Sequence, residues 1–262
     1  MHVQDSDQQF MRSITSFYLE NLPQALAELF IPQHPVPMSA EAFPAFAAQL
    51  NIPRAVRTRE NMRAMDAFFL TLSQAVEAHS QGCFVRLGSR SPKDALGCTS
   101  LKVFKAVNVM EMCMLSSRVR NDVRWNFLYQ YPPTFFVRPW IDMEPWGEFR
   151  CVVRNNTLQG ISQYHCLDRV EFPEIARHAY AVAAALSAFV SESVIAAAEH
   201  DAFVCDIYYT QSEARLIDYN PLNNRTDLCF LEPPFPWPKT PELRFRHQGN
   251  VAALPISKEN IA

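Results

Sequence analysis

The chain has 262 residues, 48% of them hydrophobic, and a formal net charge of −3. That length supports one two-lobed domain or two small domains with a real core, and a near-neutral charge without a long basic stripe argues against a nucleic-acid partner. The seven cysteines (Cys83, Cys98, Cys113, Cys151, Cys166, Cys205, Cys229) contain no C-x-x-C pair, which points to reduced thiols in a cytoplasmic protein rather than to a zinc site.

The opening MHVQDSDQQF is too polar for a signal peptide. Residues 5–30 read as a helix, with Phe10, Met11, Ile14, Phe17 and Tyr18 at helical spacing. Residues 31–57 carry Pro32, Pro35, Pro37, Pro44 and Pro53 and read as an irregular connector. A second helix is predicted over 61–79. CFVRL (83–87) reads as a strand, 88–97 as a polar loop, 100–115 as a helix, and TFFVRPW (134–140) as a strand ending at Pro139. EFRCVVRNNTLQGISQYH (148–165) is the clearest hairpin, because Asn155-Asn156 sits between two alternating runs and Asn tolerates the left-handed backbone of a two-residue turn. Pro173 opens a helix to about His200. Ser191, Glu192 and Ser193 interrupt its apolar run, so it reads as a buried or amphipathic helix and not a membrane span. AFVCDIYY (202–209) and ARLIDYN (214–220) form a second hairpin, and 232–262 is proline-rich and then extended. This order predicts a mixed α+β fold.

The hairpins predict a site. A turn at 155–156 places Arg150 and Gln163 on one face near the open end of the first hairpin. A turn centred near Ser212 places Asp206 opposite Asp218, with Asn220 two residues on along the same face. Two carboxylates across a sheet repel unless a cation lies between them. Oxygen donors from Asp206, Asp218 and Asn220 suit Mg²⁺, while a pair of solvated strand-end acids is the plainer alternative. Arg86, inside CFVRL, needs a phosphate or an internal carboxylate, because an unpaired buried charge is costly. Arg150 could equally form a surface ion pair with Glu148. Lys93 and Asp94 could be merely solvated, and Trp140 could be core.

Three ordered stretches, FVRLGSRSPKDA (84–95), VRPWIDMEPWGEFRCVVRNNTLQGISQ (137–163) and FVCDIYYTQSEARLIDYNPLNNRTD (203–227), resemble the cell division cycle protein 123 family. The resemblance implies an ATP-grasp fold whose two lobes clamp Mg-ATP: an N-lobe over about 1–136, a hinge at 137–141, a C-lobe over about 142–232 and an extended tail at 233–262. It implies that Arg86 reaches the phosphates, that the loop with Ser91, Lys93 and Asp94 covers them, and that Arg138, Trp140 and Ile141 lie beside the adenine. Arg150 and Gln163 would face the phosphates, and Asp206, Asp218 and Asn220 would hold Mg²⁺. The chain departs from the family pattern at Arg86, where Lys is usual, and at Gly88-Ser89-Arg90 and Tyr164-His165. The family's role implies an assembly chaperone that binds the gamma subunit of eukaryotic translation initiation factor 2. The alternatives are an ATP-grasp ligase joining a carboxylate to an amine or thiol through an acyl phosphate, with an unknown protein or small-molecule partner, and a nucleotide-binding interaction protein without turnover.

Overall fold

The proline-rich stretch after residue 31 is more ordered than its composition suggests. His34–Pro37 forms strand β1, and Phe43–Gln49 forms a helix with Pro44 in its first turn. A proline cannot donate to a sheet ladder but is tolerated on an outer strand. That is where Pro35 and Pro37 lie, because the first sheet has the order β1-β3-β2, with β2 at Cys83–Leu87 and β3 at Thr134–Pro139. The structure, a computed structural model, describes residues 9, 11–95, 100–167, 169–232 and 237–257. The chain divides into two compact units, one of Met1–Asn21 with Pro32–Ile141, the other of Leu22–Ile31 with Asp142–Ala262.

In the first unit, the helix Arg59–Glu77 starts at a capping box between Thr58 and Asn61 and buries Met65, Phe68, Leu72 and Val76 at helical spacing. These pack in one core with Val85 and Leu87 of β2 and Phe135 and Val137 of β3. The single helix expected over 5–30 is corrected: among the described residues its helical stretch ends at Thr15, and short turns follow at Leu19–Asn21 and Gln24–Ala27. Pro23 disfavours helix at the residue before it, and Leu19 N–H is drawn off to the Gly88 carbonyl at 3.2 Å. The helix expected over 100–115 begins only at Ala106, because Val103 bridges Cys83 as an extended residue. A further helix, Ser117–Leu128, was not anticipated; Ser116 Oγ caps it by accepting from Val119 N–H at 3.0 Å.

Among the described residues, the second unit's sheet has six strands in the order β7-β6-β4-β5-β8-β9. They are β4 (Glu148–Arg154), β5 (Thr157–Gln163), β6 (Phe203–Tyr209), β7 (Ala214–Pro221), β8 (Glu242–His247) and β9 (Asn250–Pro255). Asn155 and Asn156 have φ of +52° and +53°, the geometry that a two-residue hairpin turn demands. The tail beyond 232 supplies the outer hairpin, with β8 running parallel to β5. On the other edge, Ile31 N–H donates to Leu216 O and Leu216 N–H to Leu29 O. The helix Pro173–Ala188, continued by a π-helical stretch Phe189–Val194, packs on this sheet. Among the described residues one helix, 173–197, is long and apolar enough to cross a membrane. Its stripe of Ile175, Val182, Leu186, Val190 and Val194 is buried, as expected of an amphipathic helix covering a sheet.

Candidate functional site

Strand pairing in the second unit aligns one residue from each strand into a single row. Ser162 of β5 pairs with Arg150 of β4, Arg150 with Asp206 of β6, and Asp206 with Asp218 of β7. On the other side Ser162 pairs with Arg244 of β8. Directly paired residues share a face, so two guanidiniums, a hydroxyl and two carboxylates lie on one side of the sheet. Asn220, two residues beyond Asp218, is on that side too, opposite Val204.

Arg150 is the centre of the row. Its Nε donates to Asp206 Oδ1 and its Nη2 to Asp206 Oδ2, each at 2.8 Å, the two-pronged geometry in which charge-assisted bonds are strongest. Its Nη1 donates to the Asp227 carbonyl at 2.6 Å, and the guanidinium lies 4.9 Å from the centre of the Tyr164 ring. Burial works against its charge, but the charge and hydrogen bonds of Asp206 outweigh it, so the Arg150 pKa is raised. Asp206 is 1% exposed, whereas Asp218 and Asn220 are half-buried. The segment after β7 covers the row: Phe230 N–H donates to Ser162 Oγ at 3.1 Å, and Arg244 Nη1 donates to Phe230 O at 2.7 Å.

The expected register is present: Asp206 lies opposite Asp218 with Asn220 on the same face, and Asp218 Oδ1 accepts from Tyr219 N–H at 3.0 Å. A bulge at Ile217 lies nearer the turn and leaves that end in register. The placement of Gln163 beside Arg150 is corrected. Gln159 is an extra residue in β5, so Gly160 rather than Gln159 pairs with Val152, and Gln163 pairs with Phe149 on the opposite face. One inserted residue reverses the facing of every residue beyond it. Gln163 is fully buried there; its Nε2 donates to His165 O at 2.7 Å and Val170 O at 3.0 Å, and its Oε1 accepts from Arg246 N–H at 3.1 Å. It braces three backbone segments. Ser162, Arg244, Tyr164 and Asp227 were missed, and only the tie of β8 to β5, which no local pattern announces, brings Arg244 to the row.

The first unit gathers the other expected residues on β2, β3 and the loop after β2. Arg86 pairs with Phe136 and Phe84 with Arg138, so two guanidiniums and two phenyl rings share the sheet face opposite Val85 and Leu87. Arg138 lies 4.5 Å from the Phe84 ring centre. Arg86, 4% exposed, donates from Nε to Leu87 O at 3.1 Å, and the charge of Arg86 acts on Glu20. Glu20 is thus an acid within electrostatic reach of Arg86. Its own pKa is raised, first by burial, against the lowering effect of backbone and Tyr131 hydrogen bonds and of Arg86. Ser91 is buried and Lys93 exposed. Asp94 serves the helix Ser117–Leu128: its Oδ2 accepts from Ser117 Oγ at 2.8 Å and Arg118 N–H at 3.0 Å, and its Oδ1 from Ser116 Oγ. Partial burial raises the Asp94 pKa, and these bonds outweigh it, so the net direction is down. Trp140 is half-buried, with Lys102 Nζ 5.9 Å from its ring centre, and Ile141 is exposed.

A family model described as D123 matches residues 53–233. The chain belongs to the D123 family. Two curated relatives carry the name translation initiation factor eIF2 assembly protein. The one from Dictyostelium discoideum is 28% identical over 59% of this chain and 42% of its own length, and the one from Xenopus laevis is 27% identical over 61% and 50%. The chain spans about half the length of the curated relatives it matches. The solved structure of Cdc123 from Schizosaccharomyces pombe superposes with a TM-score of 0.64 at 19% identity, covering 82% of this chain and 86% of that one. The mixed α+β fold is thus shared with Cdc123.

Proposed function

We propose that the protein binds Mg-ATP and acts as an assembly factor for the heterotrimeric translation initiation factor 2, through its gamma subunit, where the source cell contains that factor. The carrying observation is the row Arg150–Asp206–Asp218 with Asn220. Its donors on the acidic side are all oxygen, as Mg²⁺ requires. A carboxylate has about four lone-pair positions, so Asp206 can ligate a metal while it accepts two bonds from Arg150. Asp206, Asp218 and Asn220 would hold the ion, and Arg150 would meet the phosphates. In the first unit Arg86, Ser91 and Lys93 would contact phosphate, and Arg138, Trp140 and Ile141 the base. Asp94 would act there by fixing the loop, since its oxygens serve a helix start, and Gln163 by bracing the backbone at 165 and 246. Bound Mg-ATP would add charge neutralisation next to Asp218.

The names of the relatives favour the assembly factor over the carboxylate–amine ligase, and a cytoplasmic setting suits that role. The test mixes the full chain with purified gamma subunit of initiation factor 2, with and without Mg-ATP, and follows co-elution by size exclusion. A stable complex that Arg150→Ala weakens supports the assembly reading. Free gamma subunit under both conditions, or steady ADP release driven by a small carboxylic acid and an amine, contradicts it.

A further inference from the structure

Cys166, Asp227 and Cys229 converge at one point, although they are far apart in the sequence. One ligand atom from each, two sulfurs and a carboxylate oxygen, lies within 4.8 Å of the others. Both contributing segments are held in place. Cys166 N–H donates to Tyr164 O at 2.8 Å, and Gln163 ties down the carbonyls of 165 and 170. Cys229 N–H donates to Asp227 Oδ1 at 2.7 Å and orients that carboxylate, while Cys229 Sγ reaches Tyr164 O at 3.5 Å. Cys229 sits at φ +57°, a left-handed backbone that a residue other than glycine keeps only where its surroundings dictate it. Cys229 is buried, Cys166 half-buried and Asp227 exposed, so the cluster has an open side.

We infer that Cys166, Asp227 and Cys229 form a binding site for a thiophilic divalent cation of the zinc type. Zinc takes sulfur at about 2.3 Å and carboxylate oxygen at about 2.0–2.2 Å in a tetrahedron, and three ligand atoms with this spread can close around such an ion. Two thiolates select zinc over Mg²⁺, which prefers oxygen, so this site is chemically distinct from Asp206, Asp218 and Asn220. Water or a partner's side chain fills the fourth position. The ion would join the chain after β5 to the turn after β7. Those two segments supply the Tyr164 ring and the Asp227 carbonyl that hold Arg150. The site stands whether or not nucleotide binds.

The full chain, reduced and stripped with a chelator, is titrated with zinc against a chromophoric zinc indicator in the absence of nucleotide. A single zinc ion is expected, with stoichiometric uptake lost in Cys166→Ser and in Cys229→Ser, weakened in Asp227→Ala and retained in Cys83→Ser. Cobalt in place of zinc gives a thiolate-to-metal charge-transfer band that Cys166→Ser abolishes. A second readout needs no variant: zinc, but not magnesium, slows alkylation of Cys166 and Cys229 in the parent chain, measured by peptide mass spectrometry. No uptake by the parent chain, uptake unchanged in both serine variants, or alkylation equally fast with zinc overturns the site.

Discussion

The two units bury arginines on sheet faces by different means. In the first, Arg138 rests on a phenyl ring, and Arg86 donates to a backbone carbonyl, with Glu20, an acid whose pKa burial raises, within its electrostatic reach. In the second, Arg150 grips both oxygens of a carboxylate that is 1% exposed, and a second carboxylate lies directly across the next strand pair. The first sets a guanidinium against a ring face and another against a backbone carbonyl. The second concentrates opposite charge at one point, with Asp218 directly across from the Asp206 that Arg150 holds. A two-pronged pair fixes a guanidinium's orientation in the sheet, whereas a ring face or a single carbonyl leaves more of its donors for other partners.

The sharpest way to break this contrast is to remove one partner from each arginine. Asp206→Ala strands the Arg150 guanidinium, and the expected loss is about 3–5 kcal/mol in urea denaturation. Phe84→Leu keeps the face apolar while removing the ring under Arg138, and should cost about 1–2 kcal/mol. Equal losses would mean that the two faces work alike.

Asp218→Ala tests the acidic end. Without metal it should change stability by no more than about 0.5 kcal/mol, because losing the acceptor of the Tyr219 N–H is offset by relief of the repulsion with Asp206. A loss of several kcal/mol would make Asp218 a structural acid.

Asp94→Ala should cost about 1 kcal/mol by removing acceptors at the start of the helix Ser117–Leu128. The lowered pKa of Asp94 sets the sign of its pH dependence. Its stabilising effect is present above the ordinary aspartate range and is lost as pH falls through the depressed value. The parent and Asp94→Asn should therefore converge in acid; a gap that widens there contradicts the assignment.

The smallest effect belongs to Glu20. Its raised pKa means that the folded chain prefers the protonated acid. The favourable contribution is full below the ordinary glutamate value and fades as pH rises through the folded value. Glu20→Gln should therefore gain on the parent as pH rises through that window, read from melting temperature against pH. A variant that loses ground over the same range would make ionised Glu20 the essential partner of Arg86.

Much of the acidic end was legible because its hairpin is local: the turn near Ser212 fixes Asp206 opposite Asp218, and the Ile217 bulge lies nearer the turn. The same reasoning failed at Gln163, because a bulge at Gln159 leaves no mark in an alternating sequence. Arg244 and the Cys166–Cys229 approach depend on pairings between distant segments, which periodicity does not encode. The helix Ser117–Leu128 had a readable start in Ser116 and buried positions at Val119 and Val123, but its charged exposed face hid it. The connector at 31–57 looked irregular because proline counts say nothing about which strands lie at an edge.

The most direct test of the central claim is a calorimetric titration of ATP into the full chain, with and without Mg²⁺, for the parent and for Asp218→Ala. The parent should bind ATP with Mg²⁺ and gain thermal stability by mass action, while Asp218→Ala, folded and equally stable alone, should lose the Mg²⁺-dependent part of that binding. ATP binding by the parent that ignores Mg²⁺, or Mg²⁺-dependent binding that survives Asp218→Ala, would contradict the assignment of the Asp206–Asp218–Asn220 end as the metal site.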